Sequence, residues 1–235
     1  MRVLIACAYS ARERDAFRAL GHDAWSADFE PCEGDPRWHH QGDVFDIIND
    51  GWDMMIGHPP CTFLANSGVR WLYRQGTRER IEERWENMRK GAEFFNRLWN
   101  ADIEDVVLEN SVMHGHGQAL LDAGGATQVV QPWWFGDKAF KATCHWRRGK
   151  RVANDLVPTN KLVPPKPGTD EYKAWSAVHL APPGPNRWKD RSRCFPGLVL
   201  AEAAQWGGPA EAAGRFHGYR GQGHIVPAGA VEMED

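Results

Sequence analysis

Four short apolar runs in this chain each end in residues able to do chemistry. Ala24 to Ala27 ends at Asp28, Gly42-Asp43-Val44 presents a second acid, Met54-Met55-Ile56 leads into Gly57-His58-Pro59-Pro60-Cys61, and Asp105 to Leu108 ends at Glu109-Asn110. Two prolines stiffen the chain ahead of Cys61 and remove two backbone donors. A thiol held on such a loop, near helix N-termini or basic groups, can ionise and attack an electrophilic carbon. A lone cysteine is more commonly a small buried hydrophobe, so the reading of Cys61 depends on its context.

The elements that must hold these residues alternate from the start. Val3-Leu4-Ile5-Ala6 reads as a buried strand, and Ser10-x-x-Glu13 as a capping box opening a helix that buries Ala16, Phe17 and Leu20 and stops at Gly21. Further strands are predicted over 24–27, around 42–44 (followed by a short helix containing Ile47 and Ile48) and over 54–56. The clearest helix spans about 78–100, where Ile81, Trp85, Met88, Ala92, Phe95 and Leu98 recur every three or four residues. Strands follow at 105–108, 128–130 and 142–146, with a short helix at 118–123. This order predicts an α/β fold: a mostly parallel twisted sheet with helices on both faces. In such sheets ligands bind at the carboxyl ends of the strands, where the four polar ends meet.

The 235 residues suit one catalytic domain, 1–149, with an irregular proline- and lysine-rich insertion at 150–193 and a closing helix at 194–206. The glycine-rich tail, 207–235, is expected to be largely mobile. No apolar stretch is long enough to span a membrane, and the N-terminal run meets charges where a signal peptide needs its cleavage site, so a cytoplasmic protein is expected. The five cysteines form no CxxC pair, and His39-His40 and His114-x-His116 lack companion ligands, so no metal site is expected. The net charge of −3 hides an asymmetry: residues 138–193 hold 13 Lys and Arg against 4 Asp and Glu, a balance of +9 that leaves −12 elsewhere. Such a block suits a phosphate-binding surface or a solvated lysine-rich loop.

Asp53-Met-Met-Ile-Gly-His-Pro-Pro-Cys61 resembles the nucleophile motif of the DNA cytosine-C5 methyltransferases, and Glu109-Asn110 looks like that family's Glu-Asn motif. Gly42-Asp43-Val44 is similar to its Gly-Asp-Ile motif, and Trp25-Ser-Ala-Asp28-Phe-Glu-Pro31 resembles the segment whose acid holds the cofactor ribose. The four motifs occur in family order within about the first 110 residues, in the style of short phage and prophage members. The resemblance implies a Rossmann-like fold of the S-adenosylmethionine-dependent methyltransferase type. It also implies that Cys61 attacks C6 of cytosine, that Glu109 binds N3 and the exocyclic amine, and that Asn110 holds the Cys61 loop. Cys7, Ser10, Asp28, Phe29, Asp43, Val44 and Pro60 are the implied contacts to S-adenosylmethionine or a modified analogue. Lys141 and Thr143 would take the inward positions of a strand that usually carries two arginines. In the insertion, Arg187, Trp188, Arg191 and Arg193 are candidates for phosphate contact and base stacking on DNA.

Two departures matter. Tyr9, Ala11 and Arg12 stand where the family has the glycines under its cofactor, and the insertion is shorter than a usual recognition domain. Alternatives therefore stay open: the same chemistry on a free pyrimidine nucleotide, transfer of a group other than methyl, or a non-catalytic relative that binds nucleic acid.

Overall fold

The computed structural model describes residues 1–185 and 187–208, and the backbone of two short strands, 219–220 and 224–225. The expected mobile tail lies almost wholly outside the described residues. Seven strands make one sheet: β1 (Arg2–Ala6), β2 (Asp23–Asp28), β3 (His39–Gln41), β4 (Met54–Gly57), β5 (Asp105–Ser111), β6 (Gln128–Val130) and β7 (Thr143–Arg148), in the order β3-β2-β1-β4-β5-β7-β6. The first five strands run parallel, and β7 enters antiparallel between β5 and β6. Helices cover both faces: α1 (Arg12–Ala19), α2 (Glu82–Trp99), the short α3 (Gly115–Gln118), then α4 (Asp170–Trp175), α5 (Ala177–Leu180), α6 (Arg187–Ser192) and α7 (Pro196–Gly207). This is the Rossmann-like α/β architecture expected. No helix among the described residues is long and apolar enough to cross a membrane.

Alternation along the strands splits the core into two layers. Leu4, Met55, Val106 and Leu108 face α2 and meet Met88, Phe95 and Leu98. Val3, Ile5, Met54, Ile56 and Val107 face the other way and meet Phe17 of α1 with Leu198 and Trp206 of α7. Strands buried on both faces need near-continuous apolar runs, which is why β1, β4 and β5 were visible as such in the sequence. The same parity carries functional side chains. Glu109 continues the Val107 face, so it points toward α1 and α7, and His145, its partner across the β5–β7 ladder, shares that face.

Several boundaries differ from the sequence reading. The third strand is His39–Gln41, and Gly42 and Asp43 follow it: Asp43 accepts a hydrogen bond from Phe45 N and caps a 3-10 turn over Val44–Asp46, while Ile47 and Ile48 lie past it. The long helix begins at Glu82, and the short one is Gly115–Gln118 rather than 118–123. The capping box at Ser10 does not form. Ala11 is the N-cap in a left-handed conformation, φ 58°, with no side-chain bond, because Glu13 is drawn inward to His58. The insertion is not wholly irregular; it carries α4, α5 and α6.

Candidate active site

Cys61 lies exposed just beyond the carboxyl end of β4, and the backbone around it is tightly tied. The buried Asn110 donates its side-chain amide to Pro59 O at 2.8 Å, and its own oxygen accepts from Ser111 N. The Cys61 carbonyl accepts from Leu64 N and Ala65 N, forming a tight turn after the nucleophile position. His114 braces the far side: its Nδ1 accepts from Gly117 N, which leaves Nε2 as the donor to Phe63 O at 3.0 Å. The extension of β5 therefore clamps both flanks of Cys61, and Glu109, 9% exposed, stands at the end of the same strand.

The expected cofactor contacts cluster around the ends of β1 and β2. Asp28 is partly buried with Oδ1 accepting from Glu30 N, and burial raises its pKa above the ordinary aspartate range. Phe29 beside it is 71% exposed, a free aromatic surface, and Val44 is buried behind Asp43. Cys7 has φ 59°, and burial, with Asp28 and Asp43 nearby, pushes its thiol up to about 12, so it acts as a neutral wall. Ser10 is buried, whereas Pro60 is exposed beside Cys61. The turn after β1 thus takes left-handed backbone at Cys7 and Ala11 without any glycine. The side chains that replace the family's glycines have partners elsewhere: Tyr9 donates to Lys189 O at 2.7 Å and packs edge-on against Trp188, and Arg12 donates to Cys194 O. Arg14 is fully buried, pairing with Asp15 and donating to Asp35 O.

The expected pairing of Lys141 with Thr143 does not hold as a strand alternation. The strand starts at Thr143, because Phe140 N bonds to Trp175 O instead of a sheet neighbour. Thr143 is buried on the Glu109 face, and Lys141 precedes the strand with its ammonium 5.7 Å from the Phe195 ring centre.

Beneath the site lies a group of six ionisable side chains, Glu13, His58, Glu109, His145, Cys194 and Glu202, of which the sequence singled out only Glu109 as a site residue. His58, the residue between β4 and Pro59, has Nε2 2.6 Å from Glu13 Oε2 and 3.9 Å from Cys194 Sγ, and Nδ1 3.5 Å from Glu109 Oε2. His145 Nε2 is 3.1 Å from Glu202 Oε1, but not aligned as a hydrogen bond. Burial opposes charge on His58, yet Cys194 and Glu13 outweigh it and raise its pKa well above the usual histidine value. Burial likewise opposes ionisation of Glu13, and the neighbouring His58 more than offsets this, lowering its pKa. Glu202 moves the other way: burial, then the Glu13 charge, raises it far above the carboxylate range. Burial depresses His145 to about 4. For the other five, the one sequence signal was Glu202, an acid in line with Leu198 and Trp206 on the apolar face of α7.

The basic run is largely engaged with the protein's own acids. Lys189 pairs with Glu30 at 2.7 Å, Arg193 with Glu33 at 2.6 Å and with Asp190, and Arg187 donates to Ala181 O. Arg191 is only partly exposed, while Trp188, 48% exposed, presents a ring to solvent above Tyr9.

No family model and no curated protein matches this chain. Among solved structures, the chain is similar to a protein described as a proposed DNA modification methyltransferase encoded within an E. coli prophage, at 14% identity and a TM-score of 0.44. The likeness covers 69% of this chain and 52% of that one, so the matched region spans about half that protein's length.

Proposed function

We propose that this protein methylates C5 of cytosine in DNA, using S-adenosylmethionine as methyl donor and Cys61 as nucleophile. The observation that carries the reading is the clamp on the Cys61 loop: an exposed thiol at the end of β4, fixed through Pro59 by Asn110, with Glu109 preceding Asn110 on the adjacent strand. The four motifs that resemble the family support the cytosine C5 chemistry.

The residues at the ends of β1 and β2 fit the donor. Asp28 has one carboxylate oxygen engaged by Glu30 N and offers further acceptor capacity for ribose hydroxyls. Phe29 and Val44 supply apolar surface for adenine. When bound, S-adenosylmethionine supplies an electrophilic methyl group. The protein's own part begins with Cys61, whose thiolate forms a bond to C6 of a cytosine turned out of the helix, placing electron density at C5. Glu109 receives the ring edge at N3 and the exocyclic amine, offsetting charge as the thiolate adds. After C5 has taken the methyl, loss of its proton to a base returns the electron pair that expels Cys61 and restores the aromatic ring. Asn110 acts as a positioning residue, holding Pro59. In this proposal residues 1–149 and 194–206 carry the chemistry, and 150–193 approach DNA, with Trp188 as the stacking candidate.

The test is incubation with S-adenosylmethionine and DNA, followed by nucleoside mass spectrometry of the digest, with Cys61→Ala alongside. 5-Methylcytosine from the native protein and none from the variant is expected. Folded native protein that yields no 5-methylcytosine would overturn the reading.

A further inference from the structure

Apart from Glu109, the buried group beneath the nucleophile loop has no role in methyl transfer as described, and its composition is unusual. Three carboxylates, two imidazoles and a thiol, from α1, the end of β4, β5, β7, the segment before α7 and α7 itself, meet between the sheet and two helices. Among them, one oxygen of Glu13, both oxygens of Glu202 and both ring nitrogens of His145 are shielded from solvent with no hydrogen-bond partner. Buried polar groups are otherwise almost always satisfied, and orphaned carboxylate oxygens beside an imidazole and a thiol call for a cation.

We infer that Glu13, His58, Cys194 and Glu202 form a binding site for one divalent transition-metal ion of the zinc type, set beneath the Cys61 loop. Ligand atoms of Glu13, His58 and Cys194 all lie within 4.8 Å of one another. Zinc bonds of about 2.0–2.3 Å to oxygen, nitrogen and sulfur place neighbouring tetrahedral ligands ~3.3–3.7 Å apart. The 3.9 Å between His58 and Cys194 needs almost no adjustment, and the 2.6 Å between Glu13 and His58 must open by roughly 0.7 Å to meet that geometry. Glu202 adjoins Glu13, but its ligand atom groups within 4.8 Å with those of Glu109 and His145, so it turns toward the ion to supply the fourth ligand. Mixed oxygen, nitrogen and sulfur donors suit zinc better than magnesium or calcium, which take oxygen.

The remaining two residues occupy outer positions that metal sites use. With His58 Nε2 on the ion, its Nδ1–H faces Glu109 Oε2, an orienting carboxylate, and His145 stands beside Glu202. Four protein ligands leave no open position, so the ion is structural. It would join α1 and α7 to the residue that precedes Pro59-Pro60-Cys61. The absence of any metal signature in the sequence follows from the spacing: ligands at 13, 58, 194 and 202 match no local pattern.

The experiment is metal analysis of the full chain, stripped with a chelator under reducing conditions, reloaded with zinc and gel-filtered, together with absorption spectra after cobalt loading. One zinc per chain is expected, with a thiolate-to-cobalt charge-transfer band that is present in Cys61→Ser and absent in Cys194→Ser. Glu202→Gln is expected to weaken zinc binding by at least ~10-fold, and circular dichroism verifies that each variant is folded. If Cys194→Ser fails to fold, the wild-type band together with the Glu202→Gln affinity decides. Folded wild-type protein without stoichiometric zinc overturns the inference and leaves the group as a proton-sharing network. Cobalt bound without a thiolate band, or a band lost in Cys61→Ser, overturns the assignment of ligands. Unchanged affinity in Glu202→Gln removes the fourth ligand and overturns the closed site.

Discussion

Asn110 and Pro59 are 51 residues apart in the chain, yet the amide of one fills the carbonyl of the other at 2.8 Å in a buried setting. Pro59 and Pro60 lack N–H groups, so this loop has few backbone bonds of its own with which to hold Cys61. Replacing Asn110 with Ala leaves the Pro59 carbonyl buried and unsatisfied, at a cost of about 1–3 kcal/mol. Urea unfolding of Asn110→Ala should show that loss. Its methylation rate should fall at saturating substrate with KM little changed, because the nucleophile loop and not the binding surface is loosened.

On the proposed function, Asp28 gives the protein a pH dependence on the cofactor side. Burial raises its pKa above 3.8, so this carboxylate gains a proton earlier on acidification than an ordinary aspartate. Affinity for S-adenosylmethionine should be full at neutral pH and lost as pH falls through that raised value. Titration calorimetry across the acid range checks this. Asp28→Asn should bind weakly with a flat profile, and a wild-type profile equally flat would contradict the role.

Gly197 opens the last helix where no side chain fits. A methyl added there would collide with the Phe135 carbonyl and approach Asp137, whose carboxylate accepts from Gly197 N at 2.9 Å. Backbone cannot yield as a side chain can, so Gly197→Ala should cost about 1–3 kcal/mol or more. Thermal unfolding reads the loss directly.

Phe95 is the central contact between α2 and the sheet, fully buried and edge-on to Trp146 at 5.3 Å. Phe95→Ala should destabilise by about 3–5 kcal/mol while leaving the Cys61 clamp in place. A stability loss below about 1 kcal/mol would mean the cavity collapses freely.

The strands buried on both faces, and the apolar stripe of α2, were legible because their periods are written in consecutive residues. The places of Cys61, Glu109 and Asn110 at the ends of β4 and β5 were legible for a related reason: each follows such a run. Local signals misled where a distant partner outbid them. Ser10-x-x-Glu13 has the spacing of a capping box, but Glu13 is turned toward His58, 45 residues on. Lys141 and Thr143 read as alternate strand positions, but the Phe140 amide bonds to Trp175 and delays the strand. The basic run 187–193 read as free for phosphates because Glu30 and Glu33, its partners, are about 160 residues away. Nothing local could have assembled Glu13, His58, Cys194 and Glu202.

The docking of residues 187–207 onto the first turn and helix also governs how the protein comes into being. Tyr9 and Arg12 meet their partners across 180 and 182 residues. Contacts of that span close late, because the loop entropy must be met before they give anything back. During synthesis all seven strands of the sheet, complete at Arg148, can pair while the face of β1 and β4 destined for α7 is still bare. The nascent chain is therefore an aggregation-exposed intermediate that lacks its finished site until α7 leaves the ribosome.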